Sequence, residues 1–286
     1  MKKSVLKILA LALVAVMAVS ALAACGGSSS GGSSAGTEDT GSAAAPADET
    51  AAAAPLTINE GQLIMATNAY FPPYEYYEGE EIVGIDAEIA AAVAERLGLE
   101  LVIEDIEFDS IIAGIQTGKY DIGLAGMTVT EDRLQSVNFS TPYATGIQSI
   151  IVAEGSPITN LDDLLEGDYI VGVQSGTTGD IYMSSSPEDG GVGEDRVDRY
   201  SKGNDAVLAL MQGKVDAVVI DNQPAIAFVA ANEGLMILET PYTVEDYAMA
   251  IAKENTALLE QVNAILAELE ADGTLQSIID SYITAE

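Results

Sequence analysis

Two stretches of the chain open alike and end differently. "GKYDIGLAG" at 118–126 and "GKVDAVVID" at 213–221 both begin Gly-Lys-x-Asp and continue as a short apolar run. Both stop five residues after the Asp, one at Gly126 with Thr128 and Arg133 following, the other at Asp221. A chain that writes the same short strand twice, 95 residues apart, is built from two variations on one αβ theme and not from a short-period solenoid. One copy ends near a cation and the other on an anion, so a molecule carrying both charges fits between them.

The surroundings alternate strand and helix. "QLIMATN" reads as a strand, "YFPPYEYYEGEEIVG" as a turn-rich ribbon closed by Gly84, and "DAEIAAAVAERLG" as a helix with Asp86 as N-cap and Gly98 past its end. "LELVIEDI" is the next strand, "DSIIAGIQTG" a short helix opened by Asp109 and closed by Gly118, and "YDIGLAG" a strand. Thr130 caps the helix "TEDRLQSV". A second module starts near Ser149: "QSIIVA", "YIVGVQSGTTGDIYM", "NDAVLALMQG", "VDAVVID" and "PAIAFVAAN" repeat the alternation, and "YAMAIA" leads into two final helices. This pattern predicts α/β layers on a largely parallel sheet. In such sheets ligands bind beyond the carboxyl ends of the strands, and Asn68, Gly126, Thr128, Gln174 through Thr178 and Asp221 all fall there.

The first 55 residues do not take part in that pattern. Lys2, Lys3 and Lys7 precede a run from Ile8 to Ala24 that is apolar apart from Ser20, which reads as a signal peptide over 1–24. The run ends Leu-Ala-Ala-Cys, which resembles a bacterial lipoprotein box. Cleavage before Cys25 would leave its thiol carrying a diacylglycerol with palmitate-like chains, and two acyl chains at ~0.8 kcal/mol per buried CH₂ hold a protein at a membrane. Residues 25–55 continue as a Gly/Ser/Ala tether without aromatics or periodicity. No later segment is long and apolar enough for a second span. The expected place is the cell membrane, lipid-anchored on the extracytoplasmic face.

Charge and composition then exclude several chemistries. Against 45 Asp and Glu stand 11 Lys and Arg, and loss of the three leader lysines takes the net charge from −34 to −37, so the chain predicts no nucleic-acid partner. There is no histidine and one cysteine, which removes imidazole acid–base work, thiol nucleophiles and His/Cys metal sites. No Gly-x-x-x-x-Gly-Lys-Ser/Thr phosphate loop is present, and no cofactor or metal is expected.

The segments "TNAYFPPYEY", "GIDAEIAAAVAERLG", "FDSIIAGIQTGKYDIGLAGMTVTEDRLQSVNFSTPY", "VGVQSGTTGD" and "EADGTLQSIIDSYI" resemble, in order from about Leu56 to Ile283, the polar amino-acid solute-binding proteins of ATP-binding-cassette transporters. The resemblance implies a two-lobed periplasmic-binding-protein fold of type II, with a ligand cleft between the lobes and a two-segment hinge near 145–152 and 239–246. Lobe 1 would comprise 56–146 and 245–286, and lobe 2 residues 147–244. It further implies a monomer that binds a polar L-amino acid and delivers it to the permease subunits of an importer, without being an enzyme. A dehydratase of small cyclic carboxylates on the same fold, and a sensing or adhesive surface lipoprotein, are the alternatives.

By the same resemblance Arg133 holds the ligand α-carboxylate, for which its planar guanidinium is suited. Asp221 receives the α-ammonium, its alternative being to cap the helix after Pro224. Thr128 offers a hydroxyl that can donate to the carboxylate and accept from the amine, and Gly126 lets the backbone come close. Ala125 stands where relatives often have Ser and offers backbone contacts. Thr177 and Thr178 open a helix whose N–H groups suit an anion, or simply form a capping turn. Phe71 and Phe108 flank the ligand side chain or belong to the core, and Tyr70, Tyr74 and Glu75 are candidates for the rim. Asn68 and Gln174 point toward an uncharged polar side chain such as glutamine or cystine, since Asn68 stands where relatives commonly have Asp.

Overall fold

The computed structural model describes residues 55–239 and 243–283. The expected signal peptide, Cys25 and the tether up to residue 54 lie outside them, as does the 240–242 part of the second expected hinge segment.

Seven strands and three helices come first: β1 (Gln62–Thr67), β2 (Tyr70–Phe71), β3 (Glu75–Glu78), β4 (Glu81–Val83), α1 (Ile85–Leu97), β5 (Glu100–Asp105), α2 (Ile111–Gln116), β6 (Ile122–Gly123), α3 (Glu131–Ser136) and β7 (Val137–Phe139). The next group is β8 (Ala144–Ala153), α4 (Leu161–Glu166), β9 (Val171–Gln174), α5 (Thr178–Ser184), β10 (Val197–Tyr200), α6 (Gly203–Met211), β11 (Ala217–Asp221), α7 (Asn222–Ala231), β12 (Leu235–Ile237) and β13 (Val244–Tyr247). The chain then supplies β14 (Ala250–Ala252), α8 (Thr256–Ala271) and α9 (Thr274–Tyr282).

Three sheets result: one large sheet in each lobe, and a small antiparallel ribbon in the order β2-β3-β4. The first has the order β5-β1-β6-β14-β7, with β1 parallel to β5 and β6, and β14 antiparallel to its neighbours. The second has the order β10-β9-β11-β8-β12, with β9 parallel to β10 and β11, and β8 antiparallel to β11 and β12. β8 is shared: its residues 144–147 pair with β13, and its residues 148–153 pair with β11 and β12. β1 is buried on both faces from Leu63 to Thr67, as expected of a parallel strand covered by helices on each side. α1 lays Ile85, Ile89 and Val93, one helical turn apart, into the first core.

The repeated Gly-Lys-x-Asp is the same corner in both lobes. Gly118 and Gly213 take positive φ at the ends of α2 and α6, and Lys119 N and Lys214 N donate back to Gly114 O and Ala209 O. Each Asp then grips the neighbouring parallel strand: Asp121 accepts from Ile64 N at 2.8 Å, and Asp216 from Ile170 N at 2.8 Å. The motif stops a helix, starts a strand and registers it against its neighbour.

Several expectations are corrected. Asp86 is not an N-cap. α1 starts at Ile85 with Gly84 as its cap, and a Cβ at Gly84 would lie 2.3 Å from Tyr74 O, so only glycine fits there. The Asp86 carboxylate is buried inside the helix's first turn, where Gly126 N and Tyr143 Oη donate to it. Asp109 lies in a short 3-10 turn ahead of α2 and accepts from Ser175 Oγ and Ser110 Oγ in place of capping. "YDIGLAG" is hydrogen-bonded as strand only over Ile122–Gly123, because the chain turns at Gly126 with φ 51°. "YAMAIA" is divided between the end of β13 and β14, and the short strands β7, β10 and β12 carry no clear sequence signal.

Candidate functional site

The ends of β1, β6, β9 and β11 converge between the lobes. Asn68, Phe71, Glu75, Phe108, Ala125, Gly126, Thr128, Arg133, Gln174, Thr177, Thr178 and Asp221 line one narrow cavity, with about 320 Å³ of non-atom space when the solvent at its mouth is included. All eleven ligand-binding residues expected from sequence are among them, together with Glu75. Of the other rim candidates, Tyr74 is buried edge-on against Tyr247 at 5.2 Å between ring centroids. Tyr70 stacks outside the cavity under Lys202, whose Nζ is 3.5 Å from the ring centroid.

Arg133 is placed by α3, whose N-cap Thr130 accepts from Arg133 N at 3.2 Å. Its side chain is 7% exposed. Nη1 donates to Thr128 O at 2.7 Å, Nη2 crosses to Gly176 O of the second lobe at 2.9 Å, and the guanidinium lies 5.4 Å from the Phe108 ring centroid. Among the described residues it has no carboxylate within salt-bridge distance, although Glu245 and Asp221 are near enough to favour its charge against burial, which lowers its pKa. A buried guanidinium held only by neutral carbonyls keeps its affinity for an anion.

Asp221 ends β11 and stands at the N-cap position of α7, yet its side chain makes no capping bond. Tyr247 Oη donates to it instead, in a short contact. Burial pushes Asp221 up to about 7, against the opposing effect of the Tyr247 bond. An ammonium beside it would restore its ionised form.

The floor is acidic as well. Asp86 accepts from Gly126 N and Tyr143 Oη at 2.8 Å each through Oδ2, while its Oδ1 and Glu75 Oε2 are buried and receive no bond from any donor. Two carboxyls can bond each other only through a shared proton. Burial, the Asp86 charge and that bond hold Glu75 well above the usual carboxylate range, and burial lifts Asp86 to about 6. A fourth buried carboxyl, Glu245 of β13, accepts from Thr128 Oγ1 and Thr178 Oγ1.

Gly126 owes its identity to this crowding: its φ is 51°, and a Cβ would sit 2.7 Å from Phe71 Cε1. On the second lobe Thr177 caps α5 by accepting from Asp180 N at 3.2 Å. Gln174 reaches across from β9, its Nε2 donating to Asn68 Oδ1 at 2.9 Å. Asn68 in turn donates to Ile106 O at 2.7 Å, so the two amides largely satisfy each other. Ser175 Oγ to Asp109 Oδ2 at 3.1 Å adds a further contact between the lobes.

Tyr143, Gln148, Glu245 and Tyr247 escaped the sequence reading, and Asp86 was read there only as a helix cap. Each acts behind the lining, through a partner that only the fold brings near. Among the described residues no group of three or more His, Cys, Asp or Glu is arranged to hold a metal ion, and no helix is long and apolar enough to cross a membrane.

Comparison with known proteins agrees with this arrangement. Residues 63–285 match the model for bacterial extracellular solute-binding proteins, family 3. The arginine-binding extracellular protein ArtP of Bacillus subtilis is 33% identical over 228 residues, covering 79% of this chain and 87% of that protein. A crystal structure of a mutant ArgBP from T. maritima superimposes with a TM-score of 0.72 at 40% identity, covering 79% of this chain and 96% of the other. An ancestral arginine-binding protein bound to arginine superimposes with a TM-score of 0.72 at 37% identity, covering 78% and 98%. The fold, the converging strand ends and these matches agree: the chain belongs to the bacterial extracellular solute-binding proteins of family 3.

Proposed function

We propose that this protein captures a cationic L-amino acid, with arginine as the leading candidate, outside the cytoplasm and delivers it to an ATP-binding-cassette importer. The observation that carries the reading is the charge layout of one cavity shared by both lobes. Arg133, bonded to two backbone carbonyls and, among the described residues, to no carboxylate, lies at one side, Asp221 stands on the other lobe, and Glu75 lies in the floor with an oxygen that no donor reaches. An α-carboxylate on Arg133 and an α-ammonium on Asp221 account for the first two.

Glu75 shifts the side-chain preference away from the uncharged class to which Asn68 and Gln174 point. Those two amides bond one another, whereas Glu75 Oε2 and Asp86 Oδ1 are buried oxygens without a donor. A guanidinium or ammonium supplies those donors and displaces the shared proton, and Phe71 and Phe108 give its aliphatic stem an apolar wall. ArtP and the ancestral protein, described as arginine-binding, and ArgBP of T. maritima, solved in an arginine-bound form, support the same choice. Four or five charge-assisted hydrogen bonds at ~1.5–3 kcal/mol each, set against the costs of ordering and closure, are compatible with the ~8 kcal/mol of micromolar binding.

The relatives are binding proteins, so the protein binds without turnover and the dehydratase reading loses its support. Cys25 as the lipid-bearing residue, the 25–55 tether, the lobes as 56–146 with 245–286 and 147–244, and action as a monomer complete the proposal. The test is thermal unfolding of the full chain against the twenty L-amino acids with ornithine and cystine. A ligand at 100 times its Kd adds about 2.7 kcal/mol. A shift with arginine, lysine or ornithine is expected. A shift with glutamine or cystine alone removes the cationic preference, and none at all removes amino-acid binding.

A further inference from the structure

Glu245 lies on β13, the strand that pairs with the shared strand β8, and it is 4% exposed. It does not line the cavity, but one of its oxygens gathers donors from both lobes. Thr128 Oγ1 of the first lobe donates to Oε2 at 3.0 Å, Thr178 Oγ1 of the second at 2.9 Å, and Gln148 Nε2 of β8 at 3.1 Å. An oxygen that takes three donors acts purely as an acceptor. The other oxygen, Oε1, is buried and receives no bond.

A threonine hydroxyl carries a single proton. Once that proton is given to Glu245, the oxygen can only accept. Thr128 and Thr178 both line the cavity, and both have their protons directed away from it. Thr178 Oγ1 also accepts from Gln148 Nε2 at 3.3 Å, so Thr128 Oγ1 is the freer acceptor. Sequence alone left the Thr128 hydroxyl able to serve either end of a zwitterion. In the fold it is committed to the ammonium end, and the carboxylate is left to N–H donors such as the Arg133 guanidinium.

We propose that Glu245 is a positioning residue that sets amine specificity: by taking the protons of Thr128 and Thr178 it makes Thr128 Oγ1 an acceptor for the ligand α-ammonium. The inference rests on the reading of the cavity as an α-amino-acid site. Glu245 touches no ligand in this account and acts through the hydroxyls. Its place on β13, between lobes, lets one carboxylate orient groups from both.

Two ligands separate this role from a purely structural one: L-arginine, and 5-guanidinopentanoate, which is arginine without the amine. Titration calorimetry on the full chain compares wild type with Glu245→Gln, Glu245→Met and Thr128→Val. Glu245→Gln keeps an amide oxygen for the same three donors and is expected to stay within about threefold of wild type for both ligands. Glu245→Met removes the acceptor and is expected to lose about tenfold or more on L-arginine but less than about threefold on the analogue, the loss of one charge-assisted bond. Thr128→Val should show the same selective loss, and serves if Glu245→Met does not fold. Equal losses on both ligands, in Glu245→Met or in Thr128→Val, overturn the role of Glu245 while leaving the site intact. Failure of wild type to bind L-arginine or any other α-amino acid overturns the site reading, and the proposal with it.

Discussion

Arg133 on the first lobe donates through Nη2 to the carbonyl of Gly176 on the second, at 2.9 Å. The residue best suited to hold the ligand is thus also a bond between the lobes, and separating them breaks it. Saturating L-arginine is expected to lower the radius of gyration measured by small-angle scattering, because bound ligand restores contact between both halves. An unchanged radius at saturation would mean that the lobes do not close on ligand.

Arg133→Lys should weaken L-arginine binding by about tenfold or more. A lysine supplies a point charge where the guanidinium presents a fork, and it forfeits the stacking on Phe108. Calorimetric affinity within error of wild type would take Arg133 out of the site.

Glu75→Gln should reduce affinity for L-arginine by about tenfold while leaving L-glutamine nearly unchanged, since a charge-assisted bond to the side-chain cation is worth ~1.5–3 kcal/mol. The variant keeps the shape of the floor and removes the carboxyl that a bound cation would ionise. Parallel losses for the two ligands would show that Glu75 supports the fold of the pocket and does not read the side chain.

Stability of the unliganded protein should fall as pH rises from about 4 to about 7.5. Asp86 and Asp221, raised by burial to about 6 and about 7, keep protons in the folded state that the unfolded chain has already released near its ordinary 3.8. Their contribution is complete below the unfolded pKa and is lost as pH passes through the folded values. Asp221→Asn should flatten the decline in Tm, and saturating L-arginine should flatten it in wild type because the ammonium favours ionised Asp221. Identical slopes with and without ligand would deny Asp221 an ammonium partner.

Gly126→Ala should destabilise the protein by about 1–3 kcal/mol in urea unfolding, from a left-handed backbone and a Cβ forced against Phe71. Because Phe71 must move, L-arginine affinity should drop as well. Wild-type stability would mean that the backbone at 126 relaxes without strain.

Part of the cavity lining was legible because its residues follow a recognisable strand: Asn68 after "LIMAT", Gln174 after "YIVGV", Asp221 after "DAVVI"; the roles of Arg133, Phe71 and Phe108 came from the family resemblance. Glu245 was not, since one glutamate among 45 acidic residues carries no local mark, and its burial comes from pairing with a strand about a hundred residues earlier. Asp86 was misread for a related reason. An Asp just after Gly84 and ahead of an apolar periodic run has the pattern of an N-cap, and only the approach of Gly126 and Tyr143 gives it another task. Tyr74 sits in a turn-rich segment that reads as surface, but Tyr247 comes from the far end of the chain to cover it.

β8 deserves a mechanical reading. Its ten residues form one unbroken ladder, paired with β13 over the first part and with β11 and β12 over the second. Such a member has no free joint at which to fold. It acts as a torsion bar, and any rotation of one lobe against the other is spread as twist along a hydrogen-bonded ribbon with its own restoring torque. Asp221 is paired opposite Gln148 on that bar, so winding it moves the residue proposed to receive the ammonium.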